Sequence, residues 1–453
     1  MNILWLNPNL LLPLDKGGKL RTWHVMRHLA ARHEVTYLSF AEWSQTQIDR
    51  DGMREVCRRL ETIPRADAAK GTLRFYADAA RYLLDPVPYA VAKYRSAAYR
   101  DRLSSLLRSE RFDVLVCDFL VPLVNMPAQV ACPTILFTHN VEAEIWRRHA
   151  EMATNPIARQ LLTMQWRRML RFEGDALRRF DLVLTVSESD SATFARLYPG
   201  ALHEPAHVVQ TGVDTEYFRP VRNGTRIIPH LVFTGSMDWL PNEDGMLYFV
   251  NDILPLIRAR IPDVTLSIIG RAPTPAVQRL AQRSGIEVTG RVDDVRPHIA
   301  AGTVYIVPLR IAGGTRLKIF EAMSMGKAVV STGIGAEGLP VTHGRNVVIA
   351  DGPPAFADAV VNLIADSNAR ARVEAAARRL VVGRYDWLAV AQDFEAALNH
   401  ASSVHGVPHP PSREASASAE GPADRRRFRQ GAEPGVGDRL HPRNEAERLA
   451  GSI

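Results

Sequence analysis

Short runs of apolar, β-branched residues alternate along this chain with longer stretches whose apolar positions recur at i, i+3 and i+4. Strands and amphipathic helices are therefore expected in alternation. The expected strands are residues 3–6, 34–39, 113–117, 134–137, 182–186 and 207–210 and, after a Pro- and Gly-containing break at 219–229, residues 231–234, 265–269, 287–289, 304–307, 328–331 and 346–349. Helices are expected between most of them, among them 22–32, 158–179, 244–260 and 370–380. Strand and helix in turn predict parallel sheets covered on both faces, an α/β fold. The series runs twice, which predicts two doubly wound, Rossmann-like domains over residues 1–218 and 229–385. A further segment, 386–401, is expected to be helical, and residues 402–453 are too rich in Pro, Gly, Ser, Ala, Arg and Glu to bury the surface that ordering requires.

A length of 453 residues suits two cores of this size. Cys57, Cys117 and Cys132 form no CxxC and no His-paired spacing, so neither a structural zinc site nor a disulfide framework is expected, and a reducing compartment fits. No apolar run reaches the length of a membrane helix, and Asn7-Pro8-Asn9 follows the first short apolar run at once, so neither a spanning helix nor a secretory signal is expected. The net charge of +7 is uneven: between Arg50 and Asp113 there are 14 Lys and Arg against 9 acids, including Arg74, Arg81, Lys93, Arg95, Arg100 and Arg102 on sequence that reads as helical. No zinc-finger, helix-turn-helix or RNP pattern accompanies this charge, so a nucleic-acid partner is not expected. An anionic membrane surface, a phosphorylated substrate or an ordinary solvated face would each account for it. The run Arg425-Arg426-Arg427 belongs to a tail with 8 Arg against 7 acids and reads as a solvated linker.

Doubly wound sheets hold ligands beyond the carboxyl ends of their strands, which selects the residues that follow each run. Gly17 and Gly18 follow the first strand and precede a helix, where free backbone amides could approach an anion. His139, with Glu142 three residues on, follows strand 134–137 and could donate to a substrate hydroxyl or to developing negative charge. The block 313–327 reads as glycine turn, helix and glycine cap: Gly313 and Gly314, then Thr315 as N-cap, and Gly326 at the C-terminal end. Arg316 and Lys318 fall in its first turn, against the helix dipole, and a bound diphosphate would repay that local cost. Glu321 lies on the same face as Lys318 and could accept from vicinal ribose hydroxyls. Gly235 and Ser236, after the first strand of the second series, offer donors to the same phosphates. Residues 333–338 match GxGxxG, but Leu339-Pro340 follows where an apolar helix should begin, so a nicotinamide or flavin cofactor is not expected. Asp293-Asp294 has no third ligand nearby and reads as a loop, and no Walker motif, nucleophile elbow or HExxH is present.

Taken together, these segments resemble those of the retaining glycosyltransferases of family 4. The resemblance covers about residues 1–400 and rests on Gly17-Gly18 with Arg32-His33-Glu34-Val35-Thr36, Thr138-His139-Asn140, Val186-Ser187-Glu188-Ser189-Asp190, residues 212–218, Gly290-Arg291-Val292 and the 313–326 block. The Gly-Gly-Thr-Arg-Leu-Lys form is similar to that of a bacterial subgroup tied to exopolysaccharide assembly, including exosortase-linked sugar transferases. The resemblance implies a GT-B fold, with a nucleotide-sugar donor on the second domain across a cleft from a glycan or lipid-linked acceptor on the first. It also implies transfer with retention of configuration, no metal or other cofactor, and a cytoplasmic location, peripheral on the inner face of the membrane where the acceptor is lipid-linked. Glu321 matches the second acid of the family's Glu-x7-Glu motif, which holds the ribose; the first acid is replaced by Gly313. Arg316 and Lys318 stand in for the family's diphosphate cations, His139 would orient the sugar or the leaving phosphate, and Arg291 and Val292 fall where the base is read through backbone groups. Arg384-Tyr385-Asp386-Trp387 would open a helix that returns to the first domain. A nucleotide-sugar epimerase on the same fold and a non-catalytic carbohydrate-binding protein are the alternative readings.

Overall fold

Alternation of side chains at the start of the chain sets the first sheet. Ile3 and Trp5 enter one apolar core while Leu4 and Leu6 enter another, so strand β1 (Asn2–Asn7) is covered on both faces. It joins β2 (Glu34–Glu42), β3 (Arg59–Arg65), β4 (Val114–Asp118), β5 (Thr134–Phe137), β6 (Leu182–Thr185) and β7 (His207–Val208) in a parallel sheet of order β3-β2-β1-β4-β5-β6-β7. A second parallel sheet, of order β10-β9-β8-β11-β12-β13, comprises β8 (His230–Thr234), β9 (Thr265–Ile269), β10 (Ile286–Gly290), β11 (Val304–Val307), β12 (Val329–Ser331) and β13 (Val348–Ile349). This computed structural model describes residues 1–14, 17–42, 46–65, 72, 82, 85–221, 229–311 and 317–404, and both sheets lie within the unit Met1–His405. Two doubly wound α/β domains are thus present, as the alternating pattern predicts.

One strand was not expected. β3 lies in a segment that reads as helical, because at the sheet edge its residues are only half-buried and lose the apolar contrast of a central strand. Pro64 is tolerated at that edge, where a missing N–H costs little. The positive charge of this region is partly consumed locally: Arg59 bonds Glu61 and Glu110, Arg102 bonds Glu61, and Arg95 bonds Asp85. Arg74 and Arg81 lie outside the described residues.

Helix boundaries also moved. The helix expected from residue 22 begins at Gly17 and ends at Leu29, so the two glycines sit in its first turn. The helix expected over 244–260 runs instead as Leu240–Tyr248, a π-helical stretch Phe249–Ile253 and Leu254–Arg258; Pro255 lacks the N–H that would close a regular turn there. The last helix, Trp387–Val404, continues past the expected end at 401, and the rest of the compositional tail lies outside the described residues.

The chain passes between the sheets twice, side by side. On the way out, Val213 N–H donates to the Tyr385 carbonyl at 2.7 Å, Val213 bridges Asp386, and Thr215 Oγ1 donates to Asp386 Oδ2 at 2.5 Å. On the way back, the helix Trp387–Val404 lays Trp387, Val390, Phe394, Leu398 and Ala401 into the core that holds Ile3 and Trp5, with the Phe394 ring 5.3 Å from that of Trp5. Gly212 is required at this crossing, since a Cβ there would lie 2.6 Å from the Trp387 ring.

Candidate functional site

In each sheet the strand order reverses direction between two neighbours, β1 and β4 in the first and β8 and β11 in the second, and ligands of this architecture sit at such points. In the first sheet the register places Asn7 and Asp118 at adjoining strand ends. Asp118 is fully buried, and its Oδ2 accepts from Trp5 Nε1 (3.0 Å), Asn7 Nδ2 (2.7 Å) and Thr22 Oγ1 (2.6 Å) while Oδ1 lies 2.6 Å from His139 Nε2. The other His139 nitrogen, Nδ1, meets Arg21 Nη1, which offers only protons, so Nδ1 accepts and Nε2–H donates to Asp118. Burial lowers the His139 pKa, with Asp118 opposing, and the ring is neutral. Burial likewise pushes the Arg21 guanidinium down to about 10, against the pull of Asp118 and Asp190, and its other nitrogens bond Thr211 Oγ1.

Glu142, the carboxylate three residues on, is not the acid on the His139 ring. Glu142 opens the helix Glu142–Met152 with its carboxyl near Asn140, its pKa raised to about 7 by burial; the acid on His139 is Asp118, from a different strand. Both ring nitrogens are occupied within the protein, so donation from His139 to a substrate requires one of these bonds to break. The helix itself is capped from outside: Glu173, on the neighbouring helix Pro156–Leu177, accepts from the N–H groups of Glu142 (2.8 Å) and Ala143 (3.2 Å) and from Tyr198 Oη (2.5 Å).

Gly18 has a packing role. A Cβ on Gly18 would lie 2.6 Å from Phe119 Cζ, and the Phe119 ring stacks on His139 at 4.0 Å and 11°. Phe119 holds φ at +67°, a left-handed conformation uncommon for an aromatic residue and a sign that the neighbouring contacts over-determine it. Gly18→Ala is expected to destabilise the protein by about 1–3 kcal/mol in urea denaturation, and Phe119→Leu in the same chain to recover most of that loss. A glycine needed only for an anion would give an unchanged midpoint and weaker donor binding.

At the reversal point of the second sheet, Gly235 follows β8, and a Cβ on it would lie 2.7 Å from Lys318 Nζ and 2.8 Å from Asn242 Nδ2. Its bareness makes room for a fixed cation. Lys318, in the first turn of the helix Leu317–Ser324, donates from Nζ to Asn242 Oδ1 at 2.7 Å and sits 4.1 Å from the Phe233 ring centroid. Asn242 is in turn oriented by its bond to the Ser236 carbonyl (2.8 Å), while the Ser236 hydroxyl faces Asp238 (2.5 Å). One turn on from Lys318, burial raises the Glu321 carboxyl to about 7 against the pull of Lys318. Arg291 and Val292 follow β10, two strands away from β8; Arg291 is exposed and Val292 packs on the core. Gly313, Gly314, Thr315 and Arg316 lie outside the described residues. Asp294 is bidentate to Arg296, which accounts for one acid of the Asp293-Asp294 pair.

Between the sheets opens a cleft of about 410 Å³. The first domain lines it with His139, Arg147, Arg148, Asp190 and Thr211, the second with Leu317, Phe320 and Glu337. Ser187 contributes twice, to the wall and as N-cap of the helix Glu188–Leu197 through Asp190 N–H at 3.1 Å. Glu337 and Gly338 come from the GxGxxG match, which is a series of turns with no following helix, as its Leu-Pro ending predicts. Asp118 directly follows the expected strand 113–117 but carries no motif around it, and the observed strand takes it in as its last residue; Arg21 is hidden in a helix. The contact between Asn242 and Lys318 spans 76 positions.

Comparison with known proteins fits this layout. Residues 16–217 match the family model described as Glycosyltransferase Family 4, and residues 228–366 match that described as Glycosyl transferases group 1. A relative from Klebsiella pneumoniae, an uncharacterized 44.6 kDa protein in the cps region, is 29% identical over 29% of this chain and 36% of its own. The GDP-mannose-dependent alpha-(1-6)-phosphatidylinositol monomannoside mannosyltransferase of Mycobacterium tuberculosis is 28% identical over 49% of this chain and 61% of its own. The chain thus spans about a third to three-fifths of the length of these curated relatives. Among solved structures, HepE of Anabaena in complex with UDP superposes with a TM-score of 0.62 at 14% identity, over 88% of this chain and all of the other. Sucrose-phosphate synthase of Thermosynechococcus elongatus gives 0.63 at 15%, over 89% of this chain and all of the other. These likenesses show a shared GT-B fold, and with two family models laid end to end across both sheets, this chain belongs to glycosyltransferase family 4.

Proposed function

We propose that this protein transfers a glycosyl group, with retention of configuration, from a nucleotide-sugar donor to a glycan or lipid-linked acceptor in bacterial exopolysaccharide or cell-surface glycan synthesis. The observation that carries the reading is the pairing of a fixed cation, Lys318 on Asn242, with a half-buried acid, Glu321, one helical turn apart beside the cleft. Lys318 neutralises charge that accumulates on the departing diphosphate, an interaction stronger in the transition state than in the ground state. Glu321 accepts from the ribose hydroxyls. The sugar's bond to the diphosphate oxygen breaks while its bond to the acceptor oxygen forms on the same face, and the leaving phosphate takes the acceptor proton. In this proposal side-chain cations rather than a divalent ion carry the phosphate charge. The UDP held by HepE and the GDP-mannose in the mannosyltransferase's name support a nucleoside diphosphate donor. The phosphatidylinositol monomannoside in that same name and the cps region of the Klebsiella relative support a lipid-linked acceptor and a surface-glycan product. With such an acceptor the enzyme works from the cytoplasmic face of the membrane as a peripheral protein; among the described residues no helix is long and apolar enough to cross one.

A thermal-shift panel of UDP, GDP, ADP and dTDP sugars tests the donor, since ligand bound to the native state raises the midpoint by mass action. One nucleotide is expected to stand out, and with Glu321 near 7 its affinity is expected to fall about tenfold from pH 8 to pH 6 as the carboxylate takes up a proton. Glu321→Gln should bind more weakly at pH 8 and show none of that slope. No shift with any nucleotide sugar, or an epimerised sugar with no transfer, would overturn the proposal.

A further inference from the structure

Far along the return helix from the crossing, three side chains from two stretches of the chain converge. His400 lies in the last turns of the helix Trp387–Val404, His207 on the edge strand β7, and Glu204 in the loop before it. His400 Nε2 is 2.8 Å from Glu204 Oε1 and 3.0 Å from Oε2, and His207 Nε2 is 3.6 Å from the same Oε1. The two imidazoles stack 25° apart with centroids 5.1 Å from each other, and one ligand atom from each of the three residues falls within 4.8 Å of the other two. A lone ion pair between His400 and Glu204 would explain one of these contacts. It does not account for the second imidazole, whose Nε2 approaches the same carboxylate oxygen while its ring stacks on that of His400. A neutral imidazole instead presents a lone pair, and two of them beside one carboxylate form the His₂Glu donor set of a borderline divalent metal. Tetrahedral ligands about 2.0–2.2 Å from such an ion are about 3.3–3.6 Å from one another; the His207–Glu204 spacing of 3.6 Å matches, His400 and Glu204 at 2.8 Å would have to part slightly, and all three ligand atoms already lie within 4.8 Å of one another. Each side chain is about one-third exposed, which leaves an entry path and room for water at the open position.

We propose that Glu204, His207 and His400 bind a divalent transition ion of the Zn²⁺ class, with water completing the shell. The ion fastens the far end of the return helix to the edge of the first sheet, where β7 has only one strand neighbour. The site is structural and stands apart from the cleft, so it does not depend on the sugar-transfer reading.

Calorimetry of the full-length, tag-free chain with Zn²⁺ is expected to show one ion bound, with a thermal midpoint that rises with Zn²⁺ concentration. Co²⁺ should give the visible d–d bands of a low-coordinate site. His207→Gln and His400→Gln, separately, should each weaken Zn²⁺ binding by about tenfold or more and bleach the Co²⁺ bands. His207→Gln keeps the His400–Glu204 contact and hence the fold, so it isolates the metal. If the native chain binds no ion, or if His207→Gln binds it as tightly and with the same Co²⁺ spectrum, the cluster is an ion pair beside a bystander ring and the proposal is overturned.

Discussion

Lys318→Ala is expected to lower the turnover of sugar transfer by about 10²–10³-fold while leaving the fold intact, the scale of losing one preorganised donor to a transition state. The prediction rests on how the ammonium is held. Asn242 Oδ1, the Phe233 ring and the absent side chain of Gly235 fix Nζ at the end of β8 before any substrate arrives, so no reorganisation is needed when the diphosphate departs. Removing the support should therefore mimic part of the loss. Asn242→Ala leaves the charge but frees its position, and turnover should fall by less than in Lys318→Ala, while Lys318→Arg should recover little because the guanidinium is too large for the space beside Gly235. Single-turnover rates in saturating donor separate this loss from weakened binding. Near-native rates in a folded Lys318→Ala protein would remove Lys318 from the chemistry.

The second large effect concerns stability. Asp118→Ala leaves a buried guanidinium without its nearest acid and leaves His139 Nε2–H, Trp5 Nε1, Asn7 Nδ2 and Thr22 Oγ1 without their acceptor, and about 3–5 kcal/mol should be lost in urea denaturation. Asp118→Asn keeps an acceptor oxygen and should lose less. His139→Gln is a useful contrast, since it removes the ring between the two charges while leaving the other donors on Asp118. If Asp118→Ala melted within 1 kcal/mol of the native chain, the network would have no structural weight.

What could be read from the chain follows the range of the interactions involved. Strands such as β5 and β9 are buried almost throughout and rich in β-branched and apolar residues, so the sequence pattern finds them at their observed bounds. β3 has a neighbour on one side only, and nothing in Arg59-Leu60-Glu61-Thr62-Ile63-Pro64-Arg65 marks it as extended until β2 is beside it. The same division holds at the site. His139 was visible because its place after a strand is a local property. Its partners, Asp118 and Arg21, lie 21 and 118 positions away, and no pattern in the chain links them. Gly18 stands out in the sequence as a place where backbone amides could approach an anion, whereas the need for a missing side chain comes from an aromatic ring at another strand end, Phe119, 101 positions away.

The doubled crossing has a topological meaning. Because residues 213–215 are bonded to 385–386, the second sheet with its helices is an insertion whose two ends meet, set into a first domain that the return helix completes. Both connections between the sheets are thereby gathered at one root, held by an isolated bridge and the Thr215–Asp386 bond. The cleft therefore opens between two parts of one chain whose only covalent links lie side by side next to Gly212, so any change in its width must pass through that single place.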